Sequence, residues 1–476
     1  MRRIVTGIAT YLAELGRNAV QAWTAFFFKP CDPTSLGLIR LVVGLLAFWS
    51  LSVYGLDLDA FFGADAWANP ESVVQVQGFD KPLAWSFWFS VPQALLRPVW
   101  VICLLIFVLF TVGAFSRVTA VLAWVIYVST VRRVPVSLFG FDQVMSSVLL
   151  YLAATGASGQ AVSLDRFYAR WRLGWVIAGH RRGSEGVRWD LPSGAPEPTI
   201  SANIALRLIQ LHLCLIYGMA GLAKLQGQGW WNGQAIWGTL ASGEFRVLDF
   251  TWLAAFPWLL NALTHASLAL EIGYPVLIWV RPLRPLLLAM VVMFHVGIGL
   301  TAPGLSEFGL AMIAGNLAFV SGPWLRSLVT GLDRSRPAGR LLFDGACPRC
   351  RASLALISAA DPDRMIEPLD LTAVDLSKVH PSLSREACMK AMHMVQTDGT
   401  VFVGYDAVVI VGRMLPLFWP AAVIGGLPGI RQAGRIVYQK IADSRPRDVV
   451  CNDDVCSIHG PVSAEKPTMT FPRGKR

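Results

Sequence analysis

Leu341-Leu342-Phe343-Asp344-Gly345-Ala346-Cys347-Pro348-Arg349-Cys350-Arg351 decides how the C-terminal part of this chain folds. An apolar run of strand length passes into the turn pair Asp-Gly, and Cys-x-x-Cys then opens a helical stretch over 352–360. A thiol at a helix N-terminus faces backbone amides without intrahelical partners and the positive end of the dipole, so its thiolate is stabilised. Arg349 and Arg351 push the same way. Cys350 stands one helical turn on, where it can resolve a mixed disulfide formed at Cys347. The expectation is redox chemistry. It is favoured over half of a zinc site completed by Cys388, His393, Cys451, Cys456 or His459, because no second Cys-x-x-Cys stands at finger-like spacing.

Outward from the motif come a strand-like segment at 365–369, a helix at 384–392, a hairpin over 394–403 turning at Asp398-Gly399, and a helix at 405–415. Strand, helix, strand, helix, hairpin, helix is the order of an α/β thioredoxin-like domain. Asp344-x-x-Cys347-x-x-Cys350, Gly345, the Asp398-Gly399 turn, Val403-Gly404-Tyr405-Asp406-Ala407 and the closing Arg435-Ile436-Val437-Tyr438 segment together resemble the DCC family of thiol-disulfide oxidoreductases over 339–447. The resemblance implies that Cys347 and Cys350 are the redox pair, that Asp344 is the family's signature acid, and that the partner is a thiol or disulfide protein. The segment departs from thioredoxin itself, which places a cis-proline before the hairpin strand; here His393 and Met394 have none. Beyond it, 448–476 carries Cys451, Cys456 and His459, which read as a plain tail, a relay dithiol or a metal ligand set.

Upstream the composition changes character. The chain has 476 residues, 54% hydrophobic and 15% charged, with mean hydropathy +0.51 and 18 Trp. A soluble domain carries about a quarter charged residues, so a coiled coil, a disordered chain and an ordinary soluble enzyme are excluded. The net charge, 41 − 31 = +10, is not gathered into an arginine-rich stripe, and no nucleic-acid partner is expected. Residues 1–33 read as an amphipathic helix lying on the lipid bilayer, 34–327 as a multi-pass α-helical membrane bundle, and 328–338 as a linker. About eight spans are expected, at 35–56, 98–115, 118–136, 141–156, 202–225, 265–280, 286–301 and 305–324. With the N-terminus inside, the inner segments before the last span hold 13 Lys or Arg and the outer ones five: Lys81, Arg97, Arg132, Arg133 and Arg246. Both ends are therefore expected on the cytoplasmic side of the cell (inner) membrane, with Arg132 and Arg133 dissenting.

Ionisable groups inside the spans are expensive and face the bundle interior or a cavity. Arg40, Asp142, Arg207, His212, Lys224, Glu271, His295 and Glu307 fall there. Arg40 and Arg207 read as snorkelling or paired with carboxylates, and His212 as a packing residue. Tyr217, Gly221 and Lys224 share one helical face, and Gly218 and Gly221 admit a second helix or a flat ligand. A desolvated lysine there could serve as a base; its alternative is snorkelling.

Tyr217-x-x-Ala220-Gly221-x-x-Lys224-Leu225, Gly229-Trp230-Trp231-Asn232-Gly233, Glu271-Ile272-Gly273-Tyr274-Pro275 and Phe294-His295-x-Gly297 resemble the horizontally transferred transmembrane (HTTM) domain that includes vitamin K-dependent γ-carboxylase. The resemblance spans about 18–327. It implies that Lys224 is the base toward a quinol-like cofactor, with Tyr217, Gly221, Glu271 and His295 around it, so a membrane quinone is the candidate cofactor. No large lumenal substrate domain like the carboxylase's is present, which argues against true γ-carboxylation. Three readings stay open: a membrane thiol-disulfide oxidoreductase, a quinol-dependent enzyme acting through Lys224, and a non-enzymatic scaffold whose tail binds zinc or a partner.

Overall fold

The computed structural model describes residues 2–64, 66–77, 85–179, 194–241, 248–330 and 337–444. The tail cysteines, Cys451 and Cys456, with His459, lie outside the described residues, as do 331–336 of the linker and the loop charges Lys81 and Arg246. Two compact units emerge: Met1–Ala169 with Ala195–Leu332, and Arg170–Gly194 with Asp333–Arg476.

The first unit is helical. After the helix Arg2–Phe28, Pro33 breaks the chain and Thr34–Tyr54 begins; it packs on Leu96–Val112, as Ile200–Lys224 packs on Pro257–Leu277 and Arg284–Thr301 on Ser306–Asn316. Two glycines end helices in the left-handed region, Gly113 (φ 71°) after Leu96–Val112 and Gly156 (φ 59°) after Gly140–Thr155, a conformation that disfavours side chains with a Cβ. Among the described residues, four helices are long and apolar enough to cross a membrane: Thr34–Phe62, Gln93–Val112, Ile200–Lys224 and Arg284–Thr301. The number rises to six if each of two bent pairs, Ser306–Phe319 with Gly322–Leu328 and Tyr405–Met414 with Pro416–Gly425, is one span. Eight were expected. The helix Ser116–Arg133 carries Arg117, Arg132 and Arg133, and Gly140–Thr155 has only 16 residues, short of the ~20 a crossing needs.

Buried arginines tie this unit together. Arg40 does not snorkel: its guanidinium is fully buried and donates to the carbonyls of Ser158 (2.5 Å) and Val162, with the Asp165 carboxylate near enough to attract its charge. Arg207 makes no ion pair with a carboxylate among the described residues. It stacks 4.2 Å from the centroid of the Phe26 ring and donates to the Phe26 carbonyl, pinning the end of the first helix together with Asn203. Arg133 is fully buried too, donating to the carbonyls of Ala68 (2.8 Å) and Gly63 (3.2 Å). Its place follows from hydrogen bonding to irregular backbone, so it carries little weight as a topological charge.

The second unit holds a four-stranded sheet in the order β2-β1-β3-β4, with β1 Gly339–Phe343, β2 Ile366–Asp370, β3 His393–Gln396 and β4 Val401–Val403. β1 runs parallel to β2, Leu342 opposite Leu369, and antiparallel to β3, Leu341 opposite Met394. The parallel pair needs a crossover, supplied by the dithiol helix Pro348–Ala360. β3 and β4 form the Asp398-Gly399 hairpin, with Gly399 at φ 85°. Leu341, Leu342 and Phe343 are all buried, as a central strand covered on both faces requires. Helices Tyr405–Met414, Trp419–Gly425 and Pro428–Asp443 close the unit.

Candidate functional site

Asp344 and Gly345 turn the chain from β1 into the dithiol helix. Gly345 donates its N–H to Asp370 Oδ1 (3.2 Å), at the end of β2, and Asp344 Oδ1 accepts from the Ala346 N–H (2.9 Å). A Cβ on Gly345 would sit 2.0 Å from Asp370 Oδ2, so the glycine is required by close approach. Asp344 thus shapes the turn and adds negative charge beside Cys347. Asp370 is the residue the motif leaves out: 25 positions away, it also accepts from the N–H and hydroxyl of Thr372.

Cys347 is the N-cap of the dithiol helix, with Pro348 at the first helical position, where a missing N–H loses nothing. Its Sγ accepts from the backbone N–H of Cys350 at 3.4 Å. The Cys350 thiol, hydrogen-bonded to the Cys347 sulfur, is the largest influence lowering the Cys347 pKa from 9.0 to about 6; the Cys350 and Arg349 backbone N–H groups add to it, while burial and the Asp344 charge oppose it. The helix terminus therefore holds a thiolate at neutral pH. The Arg349 guanidinium is directed to Ser444, donating to its carbonyl (2.9 Å) and hydroxyl (3.0 Å). Arg351 donates to the Gly345 carbonyl (2.7 Å) and braces the turn.

The two sulfurs differ in access. Cys347 is 5% exposed, while Cys350 is half-buried and lines a cavity of about 470 Å³. The dithiol helix, β1 and the closing helices form the walls, which are mostly apolar: Leu354, Ile357, Val408, Val411, Phe418 and Ala422. Cys388 lies in the same wall, buried, with its thiol pushed up by desolvation. Where thioredoxins carry a proline, Met392 donates its N–H to the Tyr438 hydroxyl (2.9 Å) and its carbonyl accepts from the Gly404 N–H (2.8 Å). Arg170, far upstream in sequence, donates to the carbonyls of Ser358 (2.9 Å) and Ala359 (3.3 Å), the free carbonyl end of the dithiol helix. No sequence pattern marks Arg170 for that role.

Among the described residues, no group of three or more His, Cys, Asp or Glu is arranged to hold a metal ion. Of the candidate zinc ligands, His393 directs Nδ1 to the Ala391 carbonyl (2.9 Å).

In the helical unit the five singled-out residues do meet. Lys224 Nζ lies 2.8 Å and 2.6 Å from the two carboxylate oxygens of Glu271, whose side chain is 5% exposed, and 5.2 Å from the Trp230 ring centroid. The lysine is ion-paired. The space beside Gly221 is filled by Ile272, whose Cγ1 would lie 2.8 Å from a Cβ there. Tyr217 hydroxyl and His295 Nε2 are 2.7 Å apart, Asn316 Nδ2 donates to that hydroxyl (3.5 Å), and Tyr274 hydroxyl donates to Asn316 Oδ1 (2.6 Å). His295 Nδ1 is buried and meets no hydrogen-bond partner among the described residues. His212 pairs with the Tyr151 hydroxyl (2.7 Å), Asp142 accepts from Tyr127 (2.9 Å) and Glu307 from Trp49 (3.1 Å).

No curated protein and no solved structure matches the chain. The dithiol and its closing helices fall within residues 341–448, which match the family described as DCC1-like thiol-disulfide oxidoreductase.

Proposed function

We propose that this is a multi-pass membrane protein whose thioredoxin-like C-terminal domain is a thiol-disulfide oxidoreductase working at Cys347 and Cys350, with both ends of the chain on the cytoplasmic side of the inner membrane. One observation carries the redox reading: Cys347 caps the dithiol helix, where the Cys350 thiol first, and the Cys350 and Arg349 backbone N–H groups after it, lower its pKa to about 6. A structural cysteine has no use for such a thiolate; an exchanging one needs it as attacker or leaving group. Asp344 sets the turn that delivers the sulfur to the helix end. The test is made on the full chain in detergent: the pH dependence of Cys347 alkylation, and the equilibrium of the pair with glutathione. A Cys347 titrating near 9 and no exchange with glutathione or dithiothreitol would overturn the reading.

A second reading concerns the HTTM-like bundle. Its support is the buried Lys224–Glu271 ion pair and the buried His295 Nδ1, which meets no hydrogen-bond partner among the described residues. These groups fit the head of a quinol-type molecule, which would supply two-electron redox chemistry when bound. Glu271 would accept the proton that Lys224 yields, and His295, held by Tyr217, would offer Nδ1 to the oxygen of the head group. Loss of an activity in Lys224→Ala, retained in a Cys347→Ser, Cys350→Ser double variant, would support it; the opposite pattern would sink it.

A further inference from the structure

We infer that the helix Trp419–Gly425 and the helix Pro428–Asp443 that follows it form a docking face for an anionic phospholipid leaflet, seated where headgroups meet acyl chains, and that the bent pair Tyr405–Met414 and Pro416–Gly425 is a re-entrant element rather than a crossing. The inference rests on the membrane reading of the chain and not on the chemistry of the dithiol.

The stretch 407–427 carries one charged side chain, Arg413. Leu417, Trp419, Val423, Ile424, Leu427 and Ile430 follow closely on one another, and each is at least 42% exposed. Single apolar residues on a surface are ordinary; a run of them on consecutive, touching helices is a patch, and such patches mark a contact with lipid or protein. The face continues along Pro428–Asp443. Val437 and Ile441 stand seven and eleven positions after Ile430, on one helical side, and both are exposed. The adjoining flank holds the helix to its unit: Gly434 lies against the Tyr405 ring and Ala442 is buried.

The path of the chain excludes a crossing. Met392, before the bent pair, donates its N–H to the hydroxyl of Tyr438, after it (2.9 Å). Asp406, near the start of the pair, receives Arg431 and Arg435 from beyond its end. Segments that enter and leave are thus bonded to each other on one side, and the two arms fold at 118°. An element with that path reaches into one leaflet and returns.

The bends satisfy their own backbone. The Leu415 N–H donates to the Gly412 carbonyl (3.3 Å), Phe418 to Leu415 (2.9 Å), Gly426 to Ala422 (3.0 Å) and Leu427 to Ile424 (3.1 Å). Trp419 Nε1 closes the end of the first arm on the Arg413 carbonyl (2.8 Å), and Pro416 and Pro420 have no N–H to satisfy. A segment that leaves water for a lipid boundary requires this internal pairing.

Charge selects lipid as the occupant. Residues 405–443 hold Arg413, Arg431, Arg435 and Lys440 against Asp406 and Asp443, and no carboxylate lies between those two acids to repel phosphate. Cations beside an exposed apolar helix face make an interfacial element, and a tryptophan suits the headgroup level. The chain's own helices of spanning length tether it to a bilayer.

The experiment reconstitutes the full chain into phosphatidylcholine vesicles, with or without phosphatidylglycerol, doped with a phosphatidylcholine that carries a diazirine near the glycerol end of its acyl chain. After illumination the adducts are mapped by tandem mass spectrometry. Adducts are expected at Leu417, Trp419, Val423 and Ile424 as well as along Thr34–Phe62, those of the first group about threefold more abundant with phosphatidylglycerol. Val423→Asp with Ile424→Asp, at two exposed positions, should abolish labelling over 416–430 and spare Thr34–Phe62. Labelling of Thr34–Phe62 with none over 416–430, as when a second copy or another protein covers the face, overturns the inference and leaves the membrane reading intact. Equal labelling in the two kinds of vesicle overturns the choice of an anionic leaflet. Absence of adducts from Thr34–Phe62 as well overturns both the inference and the membrane reading. Mapping in the unsubstituted chain decides without relying on the variant's folding.

Discussion

Gly345 and Asp370 are in such close contact that the glycine N–H donates to one carboxylate oxygen at 3.2 Å, while a Cβ would lie 2.0 Å from the other. Gly345→Ala must therefore displace the Asp370 carboxylate, breaking its bonds to the Gly345 N–H and to Thr372. A loss of about 1–3 kcal/mol is expected, as for an overpacked core. Cys388, buried in this unit, reports it: its alkylation under native conditions should accelerate in Gly345→Ala, and an unchanged rate would contradict the geometry.

The thiolate sets a pH dependence with a definite sign. Cys347 titrates near 6 in the folded, reduced protein against an ordinary 9.0, so the unfolded chain holds the proton more tightly. The stabilisation is complete above about pH 9, declines as pH falls, and is gone below about 6. Reduced protein should therefore gain stability over Cys347→Ser between pH 6 and 9, and oxidised protein should show no such gain. Cys388 alkylation or thermal denaturation at fixed redox state measures it.

Asp406 receives Arg431 Nε at 2.7 Å and Arg435 Nη2 at 2.5 Å, and the two guanidinium groups hold its carboxyl down at about 2. Because its folded pKa is depressed, this contribution persists to low pH and is lost only as pH falls through about 2. Both arginines are about half exposed, so solvent screens the pairs, and Asp406→Asn should cost about 1 kcal/mol. Faster hydrogen exchange confined to Pro428–Asp443 is the expected readout; a loss spread evenly over the unit would argue against it.

Lys224→Met leaves the Glu271 carboxylate buried without its cation, a change that costs about 3–5 kcal/mol in comparable pairs. Thermal denaturation of the detergent-solubilised chain should show that loss, and Lys224→Met with Glu271→Met should recover most of it. A double variant no better than the single one would mean that the pair is not the relevant interaction.

Local pattern made the dithiol unit legible. The run 341–343 is apolar because β1 is central, Asp398-Gly399 is a hairpin turn by its chemistry, and Cys347 announces a helix start. What stayed hidden depends on distant partners. Asp370 under Gly345, Arg170 on the end of the dithiol helix and Tyr438 on Met392 are separated from their contacts by 25, 188 and 46 positions. Nothing in their neighbouring residues signals those roles.

The helical unit shows the same division. Tyr217, Lys224, Glu271 and His295 could be picked out because ionisable groups stand out against apolar surroundings, and the structure places them in adjoining hydrogen-bonded pairs. The span count was less legible, since hydropathy weighs segments one at a time while Arg133 is satisfied by carbonyls at Gly63 and Ala68. Counting Arg133 as a loop charge misreads a buried fastener.

The bent pair Tyr405–Met414 and Pro416–Gly425, folded at 118°, has a practical consequence. Each arm has at most ten residues, about 15 Å of helix against a hydrocarbon thickness of about 30 Å, so neither arm crosses alone. Yet Leu417, Trp419, Val423 and Ile424 stand exposed on it. A fragment beginning at residue 339 would carry that greasy elbow into water and self-associate, so biochemistry of the dithiol belongs in detergent or lipid, with the whole polypeptide.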